Sequence, residues 1–280
     1  MNSTPNRTNE FEVDEAMKSA LSSRERPSKP NGVSTSLTFG WRALLKIKYV
    51  PEQMLDVTAF PIMFLLMFTY LFGGAIAGST SDYLQFLLPG ILAMTVITIT
   101  MYTGIELNND ITKGVFDRFR SLPIWGPSVL VGMLLVDAVR YTVAAAIMIS
   151  LGLLMGFRPE GGAVGVLSGV GVLLLFSFSL SWIWTTLGLI LRSEKSLMGV
   201  SMLVLFPLTF VSNVFVDPRT LPTWLEAFVE VNPISLLVTA TRGLMHGTAT
   251  FEEVGLVLIV SVIITVIFAP ITMYLYRNKK

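Results

Sequence analysis

The stretch Tyr83-Leu-Gln-Phe-Leu-Leu-Pro-Gly-Ile-Leu-Ala-Met-Thr-Val-Ile-Thr-Ile-Thr-Met-Tyr-Thr-Gly-Ile105 contains no Asp, Glu, Lys, Arg or His. A helix needs about 20 predominantly apolar residues to cross the hydrocarbon core of a bilayer, and this run is long enough. Residues 57–81 upstream are equally free of charge, as are 161–191, 196–216 and 254–276 downstream. A further apolar run, 128–157, is interrupted by Asp137 and Arg140. The composition agrees: 52% of the chain is hydrophobic and 14% charged, against roughly 25% charged in soluble domains. Helices satisfy their backbone groups internally, as a lipid environment demands. The expectation is an all-α polytopic membrane protein with six transmembrane helices at about 57–81, 83–105, 128–157, 161–191, 196–216 and 254–276.

The distribution of Lys and Arg at the ends of these runs predicts the orientation. Arg42, Lys46, Lys48, Lys113, Arg118, Arg120, Arg192, Lys195, Arg277, Lys279 and Lys280 fall on one side; Arg158, Arg219 and Arg242 fall on the other. The richer side is read as cytoplasmic, so both termini face the cytoplasm. The first span begins beyond residue 50 behind a polar tail, and no cleavable secretory signal is expected. Residues 1–36, rich in Ser, Asn, Pro and Glu, are expected to form a disordered tail, because they cannot bury enough apolar surface to offset ordering entropy. Over 37–50, Leu37, Trp41, Leu44 and Leu45 share a helical face opposite Arg42 and Lys46, which predicts an interfacial helix. Between the fifth and sixth spans, Leu221 to Val229 and Ile234 to Val238 recur at helical spacing around Asn232-Pro233. Two short outer helices are expected there.

Several chemistries are excluded. The chain has no cysteine and a single histidine, His246, so neither a thiolate nor a His-based metal site is expected. It has no G-x-x-x-x-G-K-[ST] phosphate loop. No catalytic residues, metal or cofactor are expected on this chain, nor a nucleic-acid partner. Energised work would then be driven by nucleotide hydrolysis on another subunit or by an ion gradient, with Asp137 the sole acid within a span.

Four features are candidates for function. Asp137 and Arg140, three apart on one helix face, either line a translocation path or form a structural ion pair. Phe60, Phe64 and Phe68 lie one turn apart on the first span, and the fifth carries Phe210 and is interrupted by Pro207. These form a possible substrate path for a planar apolar compound, or ordinary packing. Gly161, Gly165 and Gly169 give a small-residue face for close helix packing. The polar loop 106–127 includes Glu106, Asp110, Lys113, Gly114, Val115, Phe116, Asp117, Arg118, Phe119, Arg120, Leu122 and Pro123, mixing charge with exposed aromatics. Large aromatics and Arg are enriched at interface hot spots, so the loop reads as a docking surface.

The segment Lys113-Gly-Val-Phe-Asp-Arg-Phe-Arg-Ser-Leu-Pro123 following Glu106, with Met67-Phe-Thr-Tyr-Leu-Phe-Gly-Gly-Ala75, Tyr83-Leu-Gln-Phe-Leu-Leu-Pro-Gly90, Phe206-Pro-Leu-Thr-Phe-Val-Ser-Asn-Val-Phe-Val216 and Val231-Asn-Pro-Ile-Ser235, resembles the type-2 ATP-binding-cassette export permeases. The likeness is to their daunorubicin/doxorubicin-resistance branch and extends over nearly all of residues 37–280. The resemblance implies a permease that dimerises, as a homodimer or with a sister permease, in the bacterial plasma membrane among its lipids. It implies a separate cytoplasmic ATPase subunit that carries ATP and Mg and seats the 106–127 loop as a coupling helix. The implied activity is efflux of an amphipathic, anthracycline-like drug. Export of a lipid or glycolipid by the same mechanism, and an ion-driven carrier or a membrane-embedded structural subunit, are the alternatives.

Overall fold

A computed structural model describes residues 52–115 and 128–279, together with Ser34, Leu37, Thr38, Gly40 and Trp41. The tail read at 1–36 and the interfacial helix read at 37–50 otherwise lie outside the described residues. Leu37 and Trp41, four apart, are both helical and exposed, while Gly40 is buried against Gly132 and Val136.

Every described element is helical. The order is α1 (Glu52–Met67), a π-helical turn (Phe68–Phe72), α2 (Gly73–Ala77), α3 (Thr80–Thr112), α4 (Ser128–Met155), α5 (Gly162–Ile190), α6 (Glu194–Phe210), a 3-10 turn (Pro218–Thr220), α7 (Thr223–Val231), α8 (Pro233–His246) and α9 (Phe251–Asn278). Among the described residues, five helices are long and apolar enough to cross a membrane: Ala59–Ala77, α3, Leu130–Met155, α5 and α9. The run read as a fifth span at 196–216 folds differently. Its helix α6 holds 17 residues and stops at Phe210, a rise of about 26 Å. The side chain of Asn232 accounts for the stop. Its Nδ2 donates to Leu208 O and Val211 O, both at 2.7 Å, satisfying carbonyls at the end of α6. Its Oδ1 accepts from Ile234 N at 2.9 Å and caps the start of α8. One amide thus joins two helix ends.

The core forms around α3. In the apolar window of α3, 83% of the residues are buried, compared with 11% in α9, where Ile259, Val262, Ile263, Val266, Ile267 and Ile271 are exposed. α5 packs against α3 on one side and α9 on another. The α3–α5 contact brings backbones together: a Cβ on Gly104 would strike Trp184 O, and one on Gly188 would meet Gly104 O. No larger residue fits at this crossing. The Gly161–Gly165–Gly169 face packs within the chain, on α8, where Gly161 N donates to Met245 O at 2.9 Å.

Pro89 sits inside α3 and has no N–H to give to the carbonyl four residues earlier, Gln85 O. His246, at the end of α8, meets that carbonyl with Nε2 at 3.0 Å. A carbonyl can only accept, so Nε2 carries the proton. The single histidine of the chain therefore completes a hydrogen bond that a proline removed.

Candidate functional site

A cavity of about 420 Å³ lies between α1, α3 and α6. Phe60 and Phe64 come from α1; Met94, Thr98, Met101 and Tyr102 from α3; Met202, Leu205, Phe206, Thr209 and Phe210 from α6. On α3 and α6 these positions recur every three or four residues, so each helix presents one continuous face. The aromatic rings form a chain. Phe60, Phe64, Phe68 and Phe72 follow one another along α1 and the π-helical turn after it, with centroids 4.4, 5.5 and 5.3 Å apart. Phe215 bridges from Phe68 (4.8 Å) to Phe210 (5.3 Å), and Phe210 stacks on Phe206 at 4.3 Å. Phe60 and Phe206 remain exposed.

Among the described residues, no charged side chain lines this cavity. Thr98 Oγ1 donates to Met94 O at 2.8 Å, which leaves its lone pairs as acceptors. Such a wall can hold a flat apolar group by stacking and by adaptable Met contacts. Of the residues read as a substrate path, Phe60, Phe64 and Phe210 line the cavity. Phe68 stands one ring further along, and Pro207 is on α6 outside the lining. The α3 wall and Met202, Phe206 and Thr209 were not among the expected residues. Their signal was present in the spacing of Met94, Thr98 and Met101, hidden within a uniformly apolar run.

A second cluster joins α3 to α4. Arg140 donates to Glu106 Oε1 through Nη2 at 2.6 Å and to Asp137 Oδ1 through Nη1 at 3.0 Å. Thr103 Oγ1 donates to the other carboxylate oxygen of Asp137. Asp137 is 2% exposed and Arg140 8%. The expected Asp137–Arg140 pair is present, and it is part of a larger network. Adjacent bonds extend it to α5: Tyr141 to Ser181 at 2.7 Å, Trp184 Nε1 to Thr100 at 2.8 Å, and Asn108 Nδ2 to Gly188 O and Leu191 O at 3.0 and 2.7 Å.

Glu106 and Asp110, read as part of the polar loop, are helical, because α3 runs on to Thr112. The helix ends at Lys113-Gly114, where Gly114 takes φ +67 and its N–H bonds to Ile111 O at 3.0 Å. Lys113 is exposed there, and Val115 half-buried. Phe116, Asp117, Arg118, Phe119, Arg120, Leu122 and Pro123 lie outside the described residues.

At the Thr80 end of α3, Arg242 lies 3.8 Å over the Phe86 ring and donates to Phe86 O and Asn213 O at 3.0 and 2.9 Å. Burial pushes its guanidinium down to about 10, with Asp217 and Tyr83 acting in the opposite direction. It is still protonated at neutral pH.

The sequence profile described as "ABC-2 type transporter" matches residues 36–246. The daunorubicin resistance ABC transporter permease protein DrrB1 of Streptomyces coeruleorubidus is 53% identical over 94% of this chain and 93% of its own length. The probable doxorubicin resistance ABC transporter permease protein DrrC of Mycobacterium tuberculosis is 26% identical over 67% of this chain and 68% of its own. A putative transport permease, ycf38, of Cyanophora paradoxa is 23% identical over 76% and 74%.

Proposed function

The chain belongs to the ABC-2 type transporter family, and on that premise we propose that it is the permease of an exporter for planar, amphipathic drugs of the anthracycline kind. It is a multi-pass protein of the bacterial plasma membrane. The observation that carries the proposal is the uncharged, aromatic-walled cavity between α1, α3 and α6. Its stacked rings suit a fused-ring compound, and the names of two relatives, daunorubicin and doxorubicin resistance permeases, favour that class.

In this reading six segments cross the bilayer, with α6 as a short fifth span whose end is completed by the turn at 211–216. The termini and the loop after α3 face the cytoplasm, and α7 and α8 lie at the outer side. A separate ATPase subunit binds ATP and Mg and docks on the loop containing Lys113, Phe116, Arg118, Phe119 and Arg120. The chain itself hydrolyses nothing. A second permease, identical or related, closes the exposed rim of the cavity at Phe60 and Phe206.

The test is reconstitution of the full chain with its cognate ATPase and titration with anthracyclines, other fused-ring amphiphiles and lipids. Stimulated hydrolysis by the fused-ring compounds is expected, lost on Arg118→Glu with Arg120→Glu and Phe119→Ala together with co-purification of the ATPase. Stimulation by lipids alone would redirect the proposal to lipid export. Co-purification that survived the three substitutions would overturn the docking assignment.

A further inference from the structure

Among the described residues, the polar side chains lining the cavity between α1, α3 and α6 are hydroxyls: Thr98 and Tyr102 on α3 and Thr209 on α6. The two threonines are in unequal states. A threonine in an apolar helix commonly donates its hydroxyl proton back to the carbonyl four residues earlier. Thr95, Thr98, Thr185, Thr186 and Thr272 all do so. Thr209 does not. Its backbone carbonyl accepts from Ser212 Oγ, but among the described residues its own Oγ1 has no hydrogen-bond partner.

Thr209 is 4% exposed, yet its hydroxyl is not sealed in. Ser201 Oγ, about two turns earlier on α6, is an orphan with no open surface, as is Thr69 Oγ1. Thr209 Oγ1 is not among these enclosed orphans, so it keeps surface of its own, and the space the residue borders is the cavity. An unpartnered hydroxyl in an apolar wall is unfavourable until a partner arrives. The two threonines ask for different partners. Thr98 has given its proton to Met94 O and can only accept; Thr209 still has an O–H to donate. The helices run antiparallel, since Gly90 lies against Val214 beyond the end of α6 and Asn108 bonds Leu191 O before its start. In that register Thr98 and Thr209 are about one turn, roughly 5 Å, apart in height. A three-ring compound stacked on the Phe wall spans that offset.

We propose that Thr209 donates to a carbonyl oxygen of the cargo and that Thr98 accepts from an O–H or N–H on the same ring system. The cavity then selects fused-ring compounds bearing both groups over bare aromatic or alkyl ones. Stacking and shape admit a flat compound, and the two hydroxyls read its edge. This deepens the export reading and rests on it, since only transport makes the bound compound a cargo. The selectivity itself belongs to binding by this chain alone.

The experiment uses the full chain purified in an uncharged detergent and three flat probes: anthracene, anthraquinone and 2-aminoanthraquinone. None is charged at neutral pH, and the series adds first carbonyl acceptors and then an N–H donor to one framework. Affinities are read by titration calorimetry and compared between variant and parent for the same probe, so partition into micelles cancels. Thr209→Val keeps the side chain's shape and removes the hydroxyl. It should weaken anthraquinone and 2-aminoanthraquinone by roughly threefold to tenfold, the worth of one hydrogen bond, and leave anthracene within about twofold. Thr98→Val should weaken 2-aminoanthraquinone alone, by a similar factor. Thr209→Ser should hold both quinones within about twofold of the parent. Thr265→Val, which removes a back-bonded hydroxyl from α9 outside the cavity lining, is the control.

A Thr209→Val protein that binds all three probes more weakly by one factor, or binds all three as the parent does, overturns the inference. Equal loss of anthraquinone and 2-aminoanthraquinone on Thr98→Val removes the acceptor role of Thr98. Should Thr209→Val fail to fold, Thr209→Ala against Thr209→Ser reads the same contrast. Phe206→Ala weakening every probe while Thr209→Val moves none sinks the inference and spares the cavity. The expected selectivity, with no probe stimulating the coupled ATPase, keeps the hydroxyl pair and sinks the export reading.

Discussion

Glu106 and Arg140, 34 positions apart in sequence, meet at 2.6 Å across the α3–α4 interface, on the helices that flank the loop after α3. Arg140 is held by two carboxylates, Glu106 and Asp137, so the three substitutions are unequal. Arg140→Met leaves two buried carboxylates facing each other and should destabilise the protein by about 3–5 kcal/mol. Glu106→Gln and Asp137→Asn each leave Arg140 one partner and should cost less. The triple variant Glu106→Gln, Asp137→Asn, Arg140→Met should recover much of the loss. Thermal unfolding of the detergent-solubilised chain ranks them; an Arg140→Met protein as stable as the parent would refute the network.

The Pro89–His246 relationship predicts a non-additive pair. His246→Ala strands Gln85 O and should cost about 1–3 kcal/mol. Pro89→Ala supplies an N–H in α3 that can take the same carbonyl. In the Pro89→Ala background, His246→Ala should therefore cost clearly less. A double-mutant cycle by thermal unfolding measures the coupling, and an additive result refutes the compensation.

Asn232 makes a sharper substitution series. Asn232→Ala loses two donors and one cap, and Asn232→Asp keeps the cap on Ile234 N while setting a carboxylate against Leu208 O and Val211 O. The Asp variant should be no more stable than the Ala variant, and both should lose about 1–3 kcal/mol. Recovery of parent stability by Asp would show that only the cap on α8 matters.

In the aromatic cavity, Phe206→Ala and Phe64→Ala should each weaken binding of a fused-ring ligand by roughly twofold to tenfold, the range of one aromatic pair. Ile190→Ala, exposed at the end of α5 and outside the cavity, is the control. Fluorescence titration of an intrinsically fluorescent fused-ring compound reads the effect directly.

Charge-free runs made the long helices legible, because a bilayer-length helix has few other ways to be written. The end of α6 was not legible. The run 196–216 is uniformly apolar, and what stops the helix at Phe210 is Asn232, a side chain 21 residues beyond Val211. Glu106 was misplaced for a related reason. It is the first charge after an apolar run, and charge marks the loop only when no partner waits inside; Arg140 is that partner. Phe60, Phe64 and Phe210 were visible at the cavity because aromatics stand out in a sequence. Met94, Thr98 and Met101 were not, since one wall of a buried helix looks like any other until a neighbour leaves a gap.

The Gly104–Gly188 contact also sets the mechanics of α3. It is a fulcrum placed off centre: about 12 Å of helix lies between it and Thr112, and about 36 Å between it and Thr80. Any rocking of the rod about that point moves the long arm roughly three times as far as the short one. The short arm leads toward the loop after α3; the long arm carries Met101, Thr98 and Met94 on the aromatic cavity and Phe86 beyond them. A displacement applied at Thr112 is thus reduced at Met101 and Thr98, roughly matched at Met94 and about doubled at Phe86.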